Sequence, residues 1–112
     1  LGVAKRTYPD KVFYQGNAEI FRPDNKVDIV SCMFGFHEMP REAHLKIIEN
    51  AIQIAQKEII IVDIASNYKP KQIMLSGEPY LLDYLDNIEE TLTDFTKTVY
   101  IDKHVNVWKY ST

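Results

Sequence analysis

Residues 27–40, VDIVSCMFGFHEMP, contain the strand and the loop that decide the fold of this chain. Residues 27–34 are apolar with little alternation, which predicts a β-strand that is buried on both faces of a sheet. Pro40 suits the first turn of a helix, because the N–H that proline lacks would have no partner there. A Phe-His-Glu sequence at residues 36–38 separates the two. The stretch therefore predicts a strand, a polar loop at its carboxyl end, and a helix.

The next residues complete a strand–helix–strand unit. Apolar residues recur with a helical period after Pro40, on a stripe formed by Leu45, Ile48, Ile52 and Ala55. The sequence IIIVDI at residues 59–64 is rich in β-branched residues and predicts a second buried strand. Two buried strands joined by a helix require parallel pairing and a right-handed crossover.

Further elements are predicted after this unit. Residues 65–77 are expected to form a loop or an irregular helix. A second helix is expected from Pro79, with an apolar side made of Leu81, Leu82, Leu85 and Ile88. The alternating sequence TKTVYIDKHVNVWKY at residues 96–110 predicts an antiparallel hairpin that turns at Asp102 and Lys103, with Trp108 in the core.

Shorter elements are predicted before the unit. LGVAKRTYP at residues 1–9 has the character of the second half of a helix, VFYQ at residues 12–15 predicts a short strand, and Gly16 and Asn17 predict a turn. Together the elements predict a three-layer α/β fold, with a mostly parallel sheet and a C-terminal antiparallel hairpin.

Composition excludes several classes of protein. The 112 residues match the usual size of one domain, with 46% hydrophobic and 26% charged residues. A net charge of -3 with scattered Lys and Arg argues against a nucleic-acid partner, and the apolar runs are far shorter than the ~20 residues of a membrane span. Cys32 is the only cysteine, so a reducing, cytoplasmic location is expected. Its apolar neighbours favour a small core residue over a reactive thiol.

The common catalytic and metal-binding motifs are missing. A zinc-protease motif needs a second histidine four residues after His37, where the chain has Arg41. His37 and His44 lie seven residues apart with no cysteine or third histidine suitably placed, so no metal site is expected. No Gly-x-Ser-x-Gly elbow and no glycine-rich phosphate loop occurs in the sequence. The sequence therefore gives no support for a serine hydrolase or for a phosphate-loop enzyme.

The positions of the polar residues are more informative. In open α/β sheets a ligand lies outside the carboxyl ends of the strands. Three segments leave predicted strands at such ends, namely residues 16–19, 32–38 and 63–68. Each combines small residues with one or two polar side chains, which is typical of a cleft for a small molecule.

Three segments of the chain resemble class I S-adenosylmethionine-dependent methyltransferases. They are YQGNAEIF (14–21), VDIVSCMFGFHEMP (27–40) and AIQIAQKEIIIVDI (51–64). In that family an Asp-x-Val strand is followed by a loop of the form Leu-His-His-x-Pro. The matching positions here are Asp28, Val30, Phe36, His37, Glu38 and Pro40. The opening LGVAKRTYP resembles the helix after the family's second strand, so the resemblance covers nearly the whole chain.

The resemblance implies how the cofactor S-adenosylmethionine would be bound. Asn17 stands where the family has an acidic residue that contacts the adenine amino group, and its side-chain carbonyl could accept that hydrogen bond. Ala18 would offer its backbone N–H to the adenine ring. Met33 and Phe34 would line the cofactor pocket beside the backbone of Cys32. The alternatives are a plain turn at Asn17 and core packing of the apolar side chains.

Residues near the carboxyl ends of the strands are the candidates for chemistry and for substrate binding. His37 and Glu38 are the candidate catalytic residues, since an imidazole can take a proton from the methyl acceptor. The alternative for this pair is a capping or bracing role at the helix start. Asp63 interrupts an apolar strand and should reach a hydrogen-bond donor or the cleft. Asp63 and Tyr68 are the candidate substrate-binding residues.

The chain departs from the family in two respects, of which the first is Asn17 in place of the acidic residue. The glycine-rich first loop and the acidic residue of the second strand, which hold the methionine and ribose parts of the cofactor, have no counterpart here. We therefore expect residues 1–112 to be the C-terminal part of a methyltransferase domain, with the chain by itself inactive. The strand at 27–34 would then have an unpaired edge, and such edges recruit other strands. Self-association, an exchanged element, or direct pairing of residues 12–15 beside 27–34 is expected.

Two other interpretations remain open. The chain could be a non-catalytic remnant that acts as an association module. A receiver or flavodoxin-type domain fits less well, because no acidic pocket occurs at a first strand. The methyl acceptor is expected to be a small molecule, and the sequence does not identify it.

Overall fold

The computed structural model describes residues 16–112, so the predicted helical residues 1–9 and the strand predicted at 12–15 lie outside the described part of the chain. The described elements are β1 (Val27–Met33), a 3-10 helix (Phe36–Glu38), α1 (Arg41–Ile54), β2 (Ala55–Ile64), α2 (Gln72–Gly77), α3 (Leu81–Thr91), β3 (Thr96–Ile101) and β4 (Val105–Ser111). Residues 65–77 were expected to be a loop or an irregular helix, and α2 is the short helix within them.

The four strands form one sheet in the order β1-β2-β4-β3. β1 and β2 are parallel and are joined by α1, which confirms the predicted strand–helix–strand unit. β4 pairs antiparallel with both β2 and β3, so the predicted hairpin is confirmed and its second arm extends the sheet. The hairpin turns where it was expected, with Lys103 in the left-handed region (φ 63).

β1 is less buried than the sequence predicted. The strand was expected to be covered on both faces, but Ile29 is 50% exposed and Met33 is 64% exposed. In the part of the chain that the structure describes, β1 pairs only with β2, and its other edge has no strand beside it. The prediction of a fully buried strand was therefore wrong for these residues, because burial on both faces requires neighbouring elements that residues 16–112 do not supply.

The core lies on the helix-covered face of the sheet. Its buried members are Phe36, Ala51, Ala55, Ile59, Ile61, Leu81, Tyr84, Ile88, Leu92 and Trp108. Trp108 is 1% exposed, as predicted for a core residue. On the other face, Val62 and Val107 line an open apolar groove of about 370 Å³. No helix among residues 16–112 is long and apolar enough to cross a membrane.

The buried faces of the helices differ from the predicted stripes. Leu45 and Ile52 on α1 and Leu82 on α3 are exposed, although all three were placed on apolar stripes. The buried side chains of α1 include His44 and Ala51, and those of α3 include Tyr84. The stripe on α1 is rotated because His44 finds a partner inside the core, which makes its burial favourable.

Candidate functional site

The loop after β1 turns sharply at the carboxyl end of the strand. Phe34 has a left-handed backbone (φ 57), and its N–H donates to the carbonyl of Val62 at 2.7 Å. A Cβ added to Gly35 would lie 3.2 Å from the Cys32 sulfur, which explains a glycine at this position. The turn directs the chain into the 3-10 helix (Phe36–Glu38) and so fixes the backbone position of His37.

Asp63 organises this end of the sheet. Its side chain is fully buried near the end of β2. Oδ2 accepts a hydrogen bond from the N–H of Phe36 at 2.8 Å, and Oδ1 accepts from the N–H of Ile64 at 2.8 Å. The prediction that this carboxylate reaches hydrogen-bond donors is confirmed. In this conformation its contacts are with the protein, so substrate binding by Asp63 stays a prediction.

Asp63 also orients His37. The imidazole Nδ1 lies 2.8 Å from Oδ1 of Asp63, and the His37 side chain is 13% exposed. A carboxylate only accepts hydrogen bonds, so Nδ1 carries a proton, and in the neutral imidazole Nε2 keeps a free lone pair. The ring edge of Tyr84 supports the imidazole at a centroid distance of 6.4 Å. The geometry therefore presents one basic nitrogen at the carboxyl ends of β1 and β2.

A second histidine, His44, supports the 3-10 helix through its contacts with Phe36. His44 is buried and stacks on Phe36 with ring centroids 4.5 Å apart, and its Nε2–H donates to the Phe36 carbonyl. Burial lowers the pKa of His44, and the hydrogen bond to the carbonyl offsets this only in part. Burial raises the pKa of Tyr84, whose hydroxyl donates to the carbonyl of Ile64. Both rings are therefore neutral supports, and the apolar stripes predicted for the two helices included neither of them.

The predicted cofactor residues on β1 line two different surfaces. Cys32 faces α1 and lines an apolar cavity of about 290 Å³ together with Ser31, Ala18 and Asn50. Burial raises the pKa of the Cys32 thiol, and the nearby Asp63 charge adds to this, so the thiol is a neutral packing group. Met33 and Phe34 border the open groove on the opposite face of the sheet. Alternation along the strand separates Cys32 from Met33, and Phe34 follows the end of β1 with a left-handed backbone that breaks the alternation.

Asn17 and Ala18 form a turn beside α1. The side chain of Asn17 accepts a hydrogen bond from the N–H of Glu19 at 2.9 Å, as in an Asx turn. The amide of Asn50 donates to the Ala18 carbonyl at 3.1 Å and to the Phe21 carbonyl at 2.7 Å. Asn50 lies in the second half of α1, so this turn packs against α1. The structure therefore brings Ala18 to the same cavity as Cys32 and does not bring Asn17 to the His37 cluster.

The loop after β2 supplies the remaining residues of this region. The Tyr68 hydroxyl donates to the sulfur of Met74 at 3.0 Å, and the ring meets His104 edge-on at 6.0 Å. Ser66 donates to Glu89, which also accepts from Lys97 at 2.8 Å. Burial would raise the pKa of Glu89, but these hydrogen bonds outweigh it and the pKa is lowered. Tyr68 thus borders the loop without contacting His37.

One acidic residue near His37 was not expected from the sequence. Glu78 follows α2 and brings a carboxylate oxygen to within 4.8 Å of ligand atoms of His37 and Glu38. The three residues can each offer one metal-ligating atom. No motif in the sequence indicated this group, because Glu78 is far from the other two along the chain and meets them only through the path of the loop.

Comparisons with known proteins place the fold. No protein-family model matches the chain, and the search of curated proteins found no match. A methyltransferase from Aquifex aeolicus that depends on S-adenosylmethionine (SAM) superimposes with a TM-score of 0.63 at 19% identity, over 98% of this chain and 62% of that chain. Magnesium protoporphyrin IX methyltransferase (ChlM) from Synechocystis PCC 6803 with bound SAM gives 0.56 at 15% identity, over 98% and 53%. The same enzyme with bound SAH (S-adenosylhomocysteine) gives 0.50 at 16% identity, over 87% and 48%.

The likeness to solved structures concerns the fold. The sheet is a mixed α/β sheet of methyltransferase-like Rossmann type, and it is incomplete. The chain spans about half to three fifths of the length of the solved methyltransferases that it matches.

Proposed function

We propose that this chain is the C-terminal part of a class I methyltransferase domain that transfers a methyl group from S-adenosylmethionine to a small-molecule acceptor. The observation that carries the proposal is the Asp63–His37 pair at the carboxyl ends of β1 and β2, in a sheet of methyltransferase type. Ligands of open α/β sheets bind at this end. Two of the matched structures carry bound SAM or SAH, which supports the choice of cofactor.

The residues present fit one part of this cofactor. The cavity between β1 and α1 is apolar, with Ser31 and Asn50 as polar groups, and this lining suits an uncharged adenine ring. In the proposal Asn17 and Ala18 contact the adenine and Cys32 lines its pocket, while Met33 and Phe34, on the opposite face of the sheet, stay outside this cavity. The chain has no glycine-rich loop for the methionine and ribose parts. The proposed site is therefore half of a complete cofactor site.

His37 is proposed to act on the methyl acceptor. The cofactor supplies the methyl group, and the protein must hold the acceptor in line with it. Nε2 of His37 has its lone pair free and can take the acceptor's proton. Asp63 acts as a positioning residue, since it holds the proton on Nδ1 and fixes the ring. Glu38 and Tyr68 are proposed to contact the acceptor at the same carboxyl end of the sheet.

A second candidate function is a non-catalytic association module. The observation that favours it is the exposed edge of β1, where Val27 and Ile29 are exposed and the described chain supplies no further strand. An exposed, apolar edge strand pairs readily with another chain. In this second proposal the methyltransferase-like fold is a remnant that no longer binds the cofactor.

Calorimetry with S-adenosylhomocysteine distinguishes the two proposals. S-adenosylhomocysteine is titrated into the 112-residue chain and into a longer polypeptide that includes the residues encoded upstream of Leu1. If the chain is part of a methyltransferase domain, we expect the longer chain to bind S-adenosylhomocysteine saturably and the shorter chain to bind it much more weakly or not at all. Absence of binding by both chains contradicts the first proposal and supports the second. Equal binding by both contradicts the proposal that this chain holds only half of the site.

A further inference from the structure

Three acceptor atoms converge beyond the carboxyl ends of β1 and β2, and no donor from residues 16–112 lies between them. Nε2 of His37 lies 4.0 Å from Oε1 of Glu38, and the closest ligand atoms of His37, Glu38 and Glu78 all lie within 4.8 Å of one another. Carboxylates accept hydrogen bonds only, and in the neutral imidazole with its proton on Nδ1 the Nε2 atom is an acceptor as well. Such a group concentrates negative charge and lone pairs, so a cation between the three atoms would stabilise it.

No basic side chain of the described residues supplies that cation. The ion pairs formed by Lys and Arg in residues 16–112 involve other acidic residues, and none includes Glu38 or Glu78. The two carboxylates therefore face the imidazole without a neutralising partner from this part of the chain.

The His37 ring is held as metal-binding histidines are held. A ligating histidine usually donates its second ring N–H to a carboxylate, which fixes the tautomer and raises the basicity of the ligand nitrogen. Asp63 provides this bond at 2.8 Å and is itself fully buried. Asp63 also accepts from the N–H of Phe36, which fixes the backbone directly before His37. One ligand is thus pre-oriented, and neither glutamate is held by an ion pair with a Lys or Arg of residues 16–112.

We propose that His37, Glu38 and Glu78 form a site for a divalent transition-metal ion, with zinc as the representative ion. Zinc binds imidazole nitrogen and carboxylate oxygen at about 2.0–2.2 Å. Ligand atoms up to 4.8 Å apart can reach one ion after small rotations of the two glutamates. Three protein ligands leave a coordination position open, as in catalytic zinc sites. This departs from the expectation, based on histidine and cysteine spacing alone, that no metal site is present.

The metal site would also indicate a substrate class for the proposed methyl transfer. Only this inference about the substrate rests on the proposed function. An open position on the ion selects an acceptor with an oxygen ligand, such as a hydroxyl or a carboxylate. Coordination lowers the pKa of a bound hydroxyl, which favours its nucleophilic form. With the ion bound, Nε2 is a ligand, and the acceptor proton passes to solvent instead of to His37.

Calorimetric titration of the metal-free 112-residue chain with zinc chloride tests the site without any cofactor. We expect one saturable site, with cobalt chloride giving the visible absorption bands of a bound ion. Glu78→Gln removes one ligand at the surface and is expected to weaken zinc binding by about 10-fold or more, and His37→Ala by at least as much. Glu42→Gln, a matched loss of one nearby exposed carboxylate, should leave the affinity within about twofold of the wild type.

The results separate this inference from the proposed function. Absence of saturable zinc binding, or equal affinity in Glu78→Gln and the wild type, overturns the metal site. That outcome leaves S-adenosylhomocysteine binding by the longer chain as an independent result. Conversely, zinc binding that depends on His37 and Glu78, in a protein whose longer form does not bind S-adenosylhomocysteine, supports the metal site and contradicts the methyltransferase proposal.

Discussion

Replacement of Asp63 by asparagine should disturb both the stability and the chemistry of the rim formed by β1, β2 and their loops. The carboxylate accepts hydrogen bonds from the N–H of Phe36, the N–H of Ile64 and Nδ1–H of His37, each at 2.8 Å. An asparagine has one acceptor oxygen and an amide group that donates. Whichever way the amide is turned, at least one of these donors faces another donor.

The expected loss of stability follows from these contacts. Asp63 is fully buried, so an unpaired donor beside it cannot be satisfied by water. Such a group costs about 1–3 kcal/mol, and loss of the charge on the remaining bonds adds about 1 kcal/mol. We expect Asp63→Asn to lower the free energy of unfolding by about 2–4 kcal/mol. If the amide turns toward His37, the imidazole proton moves to Nε2 and the basic nitrogen is lost.

Urea denaturation measures the first effect, and NMR of the imidazole nitrogens measures the second. Trp108 is the only tryptophan and is 1% exposed, so its fluorescence reports unfolding of the core. Asp102→Asn, in the exposed hairpin turn, is the control and should change the free energy of unfolding by less than about 0.5 kcal/mol. If Asp63→Asn is as stable as the control and the His37 tautomer is unchanged, Asp63 does not organise the site.

Three further perturbations test other parts of the structure. Burial lowers the pKa of His44, so the unfolded state binds more protons and stability should fall as pH drops below the unfolded value of about 6.5. His44→Gln should flatten this dependence in urea midpoints measured between about pH 5 and 7.5, and an unchanged slope would contradict it. Tyr84→Phe loses the hydrogen bond to the Ile64 carbonyl and should reduce the free energy of unfolding by about 1 kcal/mol, whereas no loss would show that the bond contributes nothing. Ile29→Lys on the open edge of β1 should reduce self-association in sedimentation velocity, while Ile73→Lys on α2 should not; a monomeric wild type would exclude edge pairing.

The order of the elements could be predicted from residues 27–111 because each carries a clear local pattern. The apolar strands, the helical period after Pro40 and the alternation around Asp102 are local signals, and all three correspond to observed elements. The depth of burial could not be predicted in the same way. Ile29 is exposed because burial depends on what lies beside β1, and that information is absent from the sequence of β1 itself.

The site was predictable only where a residue broke its local pattern. Asp63 in an apolar strand signalled a buried acceptor, and its hydrogen bonds confirm that signal. His44 gave no such signal, because a histidine on a helix is usually placed at the surface. Glu78 meets His37 only through the path of the loop after β2, which residue spacing does not encode.

A titration of the longer chain with S-adenosylhomocysteine, followed by amide NMR, tests whether the rim formed by β1, β2 and their loops, together with the cavity beside α1, is half of a cofactor site. We expect saturable shifts at the amides of Asn17, Ala18 and Cys32, with the hairpin of β3 and β4 unchanged. Saturable shifts confined to other parts of the protein, or no shifts at all, would contradict the proposed cofactor site.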